Sequence, residues 1–150
     1  MASTVTAATA TVQITESLTL ANVDRGGSHT RTIPNVAEAD RRVMTVASSG
    51  ETDLVELDTA NGQGKFVRAS IRYIRITNLD DTNFIRVRFK KSGAETADVK
   101  VSAGATFMLS TGSMDVDATA SAFSAFVDID DISAQADTAD VDIEFVVFAV

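Results

Sequence analysis

Apolar residues in this 150-residue chain fall in short runs at every second position, and few windows hold an apolar stripe at the 3.6-residue helical spacing. In TVQITESLTL, Val12, Ile14, Leu18 and Leu20 share one parity, while Gln13, Thr15, Ser17 and Thr19 take the other, as in a half-buried strand. The Ala-rich pieces are diluted by Thr, Ser, Asp and Val, which weakens any helical preference. RVMTVAS and TDLVELD flank Ser49, Gly50 and Glu51 and predict a hairpin with a Gly-containing loop. Residues 66–78, FVRASIRYIRITN, read as one long strand whose apolar parity changes at Tyr73, which predicts a bulge or a bend there.

The segment IRITNLDDTNFIRVRFKK predicts a second hairpin, with DDTN at 80–83 as its loop. Pairing Leu79 with Phe84 sets Ile76 opposite Val87 and Ile74 opposite Phe89 on one face. The other face then gathers Arg75, Arg86 and Arg88, with Lys90 nearby, so it calls for an anionic counterpart: the acidic C-terminal third, or that of a neighbouring copy. Val99 and Val101, then Thr106 to Leu109, form two short strands or one bent strand around Ala103, Gly104 and Ala105. SAFSAFVDI at 121–129 is read as a strand. DVDIEFVVFAV begins by alternating and becomes apolar at every position from Phe145, as a strand buried on both faces does. Its second face meets either the chain's own core or another subunit.

Eight or nine such strands, separated by turn signals, predict an all-β fold: an antiparallel β-sandwich, jelly-roll-like. Residues 1–11, rich in Ala, Ser and Thr, are expected to form an extended N-terminal arm, and residues 12–150 a single β-sandwich domain.

Residue content narrows the chemistry. Without Cys there is no disulfide framework, no cysteine-based zinc site and no thiol nucleophile. His29 is the single histidine, so multi-histidine metal sites are excluded and a Ser-His-Asp triad would need that one residue, which sits in a Gly-rich turn. No GxxxxGK[ST] loop, GxGxxG turn or GxSxG elbow occurs. Acidic pairs recur at Asp115/Asp117, Asp128/Asp130/Asp131 and Asp140/Asp142, but the calcium-loop spacing is missing, and a solvated acidic face accounts for them. Paired carboxylates for glycoside hydrolysis lack the aromatic platforms that hold sugars. The expectation is a non-enzymatic protein with no catalytic residues, no cofactor and no metal.

The formal charge is −8, but it is unevenly spread: residues 65–91 carry eight basic and two acidic side chains, and residues 92–150 one basic and eleven acidic. A net acidic molecule is a poor partner for nucleic acid, so no specific nucleic-acid partner is expected. No basic start followed by an apolar stretch marks a secretory signal, and no apolar run is long enough to span a bilayer, so neither export nor membrane partnership is expected.

YIRITNLDDTNFIRVRF, followed by VSAGATFMLS and a terminal apolar strand, resembles the small β-sandwich virion proteins of tailed bacteriophages, over roughly residues 66–150. The resemblance carries no catalytic residues. It implies a virion structural protein made in the host cytoplasm: a capsid decoration or cement subunit first, a tail or neck component second. The chain is shorter than the usual major capsid subunit, which becomes an expected partner along with other virion proteins. A homo-oligomer, with a trimer favoured, would use Arg75, Arg86 and Arg88 for polar interface contacts and Val147, Phe148 and Val150 for apolar ones. The alternative is a receptor- or glycan-binding module of a tail fibre or cell surface, using loops at 24–30, 61–64 or 80–83.

Overall fold

A computed structural model describes residues 5–60, 62–91, 94–112, 115–116 and 127–150. The chain divides into two compact units, Met1–Ala37 with Val150, and Glu38–Ala149. The first unit is a β-ribbon: β1 (Ala8–Glu16) pairs antiparallel with β4 (Gly27–Val36), and between them β2 (Thr19–Leu20) pairs with β3 (Val23–Asp24). The boundary expected between an arm and a domain at 11/12 therefore falls inside β1. The strand expected to run through Leu20 stops at Glu16. Ala21 and Asn22 turn the chain at φ of 50° and 62°, and Arg25 N donates to Leu18 O at 2.8 Å.

The second unit is a β-sandwich. Its strands are β5 (Glu38–Val46), β6 (Thr52–Asp58), β7 (Lys65–Val67), β8 (Ile71–Asn78), β9 (Ile85–Lys91), β10 (Ala94–Val101), β11 (Thr106–Leu109), β12 (Asp115–Val116), β13 (Val127–Asp128), β14 (Asp131–Ala136) and β15 (Val141–Ala149). One sheet has the order β10-β9-β14-β6-β7, the other β11-β8-β15-β5, and β12 pairs with β13. All ladders are antiparallel except β6 with β7. The core is built from alternate residues of both sheets, with Ile74, Ile76, Phe145 and Val147 from one and Leu54, Val87, Phe89 and Ile132 from the other.

Both predicted hairpins are corrected by this topology. β5 and β6, and likewise β8 and β9, are neighbours in sequence but lie in opposite sheets. The apolar residues expected to sit side by side, Ile74 and Ile76 with Val87 and Phe89, instead meet from opposite sheets in one core. Alternation specifies the buried face of each strand and not the strand beside it, so pairing across the core satisfies the pattern as fully as pairing along a ladder. The β8–β9 connection is held by Asn78, which is buried: its side-chain amide donates to Asn83 O at 2.9 Å and to Val101 O at 3.2 Å, and its Oδ1 accepts from Asp80 N at 2.9 Å.

The long strand expected over 66–78 is two strands separated by a single 3-10 turn, Arg68–Ser70. At the parity change the β8–β15 register slips: Phe148 faces Tyr73 and Ala149 faces Ile71, leaving Arg72 as the extra residue. The Val99–Leu109 segment is two strands, separated by a turn in which Gly104 takes φ of 68°, a conformation that favours glycine. β15 lies between β8 and β5, which explains its apolar composition. The strand reading of 121–129 lies outside the described residues except for Val127–Asp128.

Candidate interaction surfaces

The outer face of the five-stranded sheet carries the basic residues of β9. Ladder partners put Lys90 beside Asp131, Arg88 beside Ser133 and Asp98, and Arg86 beside Gln135 and Lys100. Glu51, just before β6, reaches onto this face and joins three groups. It pairs with Arg88, it contacts Lys90 Nζ at 2.6 Å, and it accepts from Ser133 Oγ at 3.2 Å. Arg88 also donates to both carboxylate oxygens of Asp98, at 2.9 and 3.0 Å, and Lys90 pairs with Asp131 at 3.3 Å. Arg86 donates to Gln135 at 2.8 Å. The Lys90 hydrogen bond holds the Glu51 carboxyl below its ordinary value, and Glu51 in turn raises Lys90. Burial pushes Asp131 up, against the opposing pull of Lys90.

Arg75 lies on the opposite side of the sandwich. On the outer face of the four-stranded sheet it pairs with Glu144, whose other oxygen is 2.6 Å from Arg41. Arg75, then Arg41, holds the Glu144 carboxyl below its ordinary value. The single basic face expected to gather Arg75, Arg86 and Arg88 is therefore divided between two sheets, because β8 and β9 are not a hairpin. The anionic counterpart expected for this face lies within the chain: Asp98, Glu51 and Glu144 for the arginines, and Glu51 and Asp131 for Lys90.

Of the apolar candidates, Val147 is 0% exposed within the core and presents no surface. Phe148, one residue on, points the other way and stacks on Tyr73 with ring centroids 5.2 Å apart. Val150 is half-buried. The larger apolar exposure is one the sequence reading did not single out. Leu18, Leu20 and Val23, at 53%, 62% and 49% exposure, cluster at the closed end of the ribbon. The signal was present in the sequence: Leu18 and Leu20 continue the apolar parity of β1 beyond the point where the strand stops.

The acidic pairs are taken up locally. Asp128 pairs with Arg68 at 3.2 Å, Asp130 lies 3.9 Å from Lys91, Asp140 accepts from Ser48 N at 2.8 Å, and Asp142 accepts from Thr45 Oγ1 at 2.7 Å. Asp115 and Asp128 are ladder partners, and Asp117 lies outside the described residues. Among the described residues no group of three His, Asp or Glu side chains is arranged to hold a metal ion. His29 is exposed on β4 opposite Ile14. A shallow cleft of about 360 Å³ is lined by both charges, Glu56, Asp58, Asp130 and Asp131 with Lys65 and Arg68. Of the loops considered for ligand binding, 80–83 is closed on itself: Asp80 accepts from Thr82 N at 2.7 Å and from Asn83 N at 2.6 Å.

No family model matches the chain, and no curated protein matches it in sequence. Among solved structures it is similar to a Bacillus protein described in the words "Bacillus endospore appendages form a novel family of disulfide-linked pili". The TM-score is 0.46 at 9% identity, over 100% of this chain and 96% of that one.

Proposed function

We propose that this protein is a non-enzymatic structural subunit of a tailed-phage virion, a decoration or cement protein that stabilises the head by binding the major capsid protein and further copies of itself. The observation that carries this reading is the apolar tip of the ribbon. Three large apolar side chains, Leu18, Leu20 and Val23, are held in water at the end of a two-stranded element, which is marginal without further cover. On the outer faces of the sandwich, by contrast, Arg75, Arg86 and Arg88 have acidic partners within the chain. The virion setting rests on the likeness of residues 66–150 to small β-sandwich virion proteins.

The test is deletion of the gene from its phage, followed by heating of the particles and measurement of DNA release. Particles without the protein should release DNA at lower temperature, and purified protein added back should restore the wild-type value. A variant with Leu18, Leu20 and Val23 all changed to Ser should fold but fail to restore it. Deletion particles that match wild type overturn the reading, and saturable binding of a glycan through the loops would favour the receptor-binding module instead.

A further inference from the structure

Every β-sheet edge offers unpaired backbone groups to another chain, and proteins ordinarily guard such edges with charge, proline, irregularity or short length. The described edges are guarded with one exception. On β5, Arg42 points inward, donating to Leu54 O and lying 5.4 Å from the Phe145 ring centroid, with Asp40 at 3.1 Å. β10 carries Glu95, Asp98 and Lys100 in its sequence, β7 has three residues and β11 four. β4 contains Pro34, followed by Asn35 at φ of 60°. β1 is guarded only at its ends, by an irregularity between Ala8 and Ala10 and by Glu16 as its last residue. From Ala10 to Thr15 it reads ATVQIT, without charge, Pro or Gly, and its ladder with β4 is regular from Ala10 to Glu16.

We infer that β1 is a homotypic docking edge, and that two copies of this chain pair β1 against β1 antiparallel across a two-fold axis, forming a continuous four-stranded sheet β4-β1-β1-β4. Three arguments select a second copy as the occupant. First, the pairing is self-complementary. Centred on Gln13, the seven regular residues set Gln13 opposite its own mate, Thr11 opposite Thr15 and Val12 opposite Ile14, so that polar meets polar and apolar meets apolar from 11 to 15, while Ala10 faces Glu16 at either end and no like charges face each other. Second, the ribbon carries two acidic side chains, Glu16 and Asp24, against two basic, Arg25 and Arg31, which leaves the whole formal charge of −8 on the remainder of the chain. The two ribbons therefore bring no net charge of their own to the contact. Third, a two-stranded ribbon is marginal in water, and joining two of them supplies the further strands that make a sheet persist. This makes a pair of chains, in place of the trimer expected from sequence, the elementary unit.

The full-length protein is measured by light scattering across a dilution series, where wild type should show twice the 15.8 kDa chain mass. Gln13→Lys and Gln13→Glu each place like charges opposite each other on the axis and should raise the dimer dissociation constant about fivefold or more. An equimolar mixture of the two variants should recover the wild-type mass. Thr30→Lys, on the β4 partner of Gln13, adds the same charge one strand further out and should leave the mass unchanged. A wild-type monomer, a mass that is not a multiple of two, or a dimer indifferent to both substitutions at position 13 overturns the inference. It rests on reading the protein as an assembling subunit, and the two fail separately. A mass insensitive to position 13 removes the β1 contact whatever the particles do, and unaltered deletion particles remove the assembly reading whatever the mass.

Discussion

Asn78 shows how one polar side chain can fix a connection in an otherwise apolar interior. It is 1% exposed, and its amide meets two backbone carbonyls and one backbone N–H drawn from the β8–β9 loop and the end of β10. Substitution by Ala leaves those backbone groups without their partner, and each unsatisfied buried group costs about 1–3 kcal/mol. We expect Asn78→Ala to lower the unfolding free energy by about 2–3 kcal/mol in a denaturant titration, with little change in the denaturant slope. Asn78 was readable in the sequence only as the end of a strand, because N-L-D-D-T-N looks the same whether it closes a hairpin or passes the chain from one sheet to the other. The arginines were legible as outward-facing by their parity. Their acidic partners were not, since Glu51 and Asp98 reach Arg88 through sheet neighbours that no local pattern specifies.

At the scale of elements, alternation marked most strands of the sandwich and the face each buries, because a period of two is a local property, whereas Glu38–Arg42 of β5 and Gly27–His29 of β4, which lack it, were not legible as strand. β15 was read as a strand becoming buried on both faces, and it is the inner strand between β8 and β5. Strand neighbours were not legible, since β5 and β6, or β8 and β9, satisfy the same alternation in one sheet or in two. The end of β1 was missed for a related reason: Leu18 and Leu20 keep the parity of a buried face while standing in water. Strand surroundings also set local stability. Amides of β15, bonded on both sides, should exchange with solvent most slowly, and those of the ribbon faster, because opening two strands disrupts less packing. If β1 pairs with its copy, the ribbon gains protection with protein concentration while β15 does not, and hydrogen exchange followed by mass spectrometry at two concentrations separates the two behaviours.

For the whole molecule, the acidic surplus makes stability depend on which carboxyl groups the fold keeps ionised. Glu51 and Glu144 lie below an ordinary value of 4.5, held there by Lys90 and Arg75 first. Asp58, Asp80 and Asp140 lie below 3.8, chiefly through backbone hydrogen bonds from Thr59, Asn83 and Ser48. A carboxyl whose value is depressed by folding adds stability that is fully present above its ordinary value and is lost as pH falls through the folded one. Asp131 acts in the opposite sense: burial raises it above 3.8, so the folded chain takes up its proton first and gains relative stability on acidification. As the five depressed groups are protonated in the folded chain, the thermal midpoint should hold near neutral pH and fall as pH drops below 4.5. Asp131→Asn removes the one opposing contribution. Its midpoint should therefore fall more steeply than that of wild type between neutral pH and 3.8, as followed by circular dichroism melts across that range. A variant with the wild-type slope would show that Asp131 titrates alike in the folded and unfolded chain, the pull of Lys90 offsetting its burial.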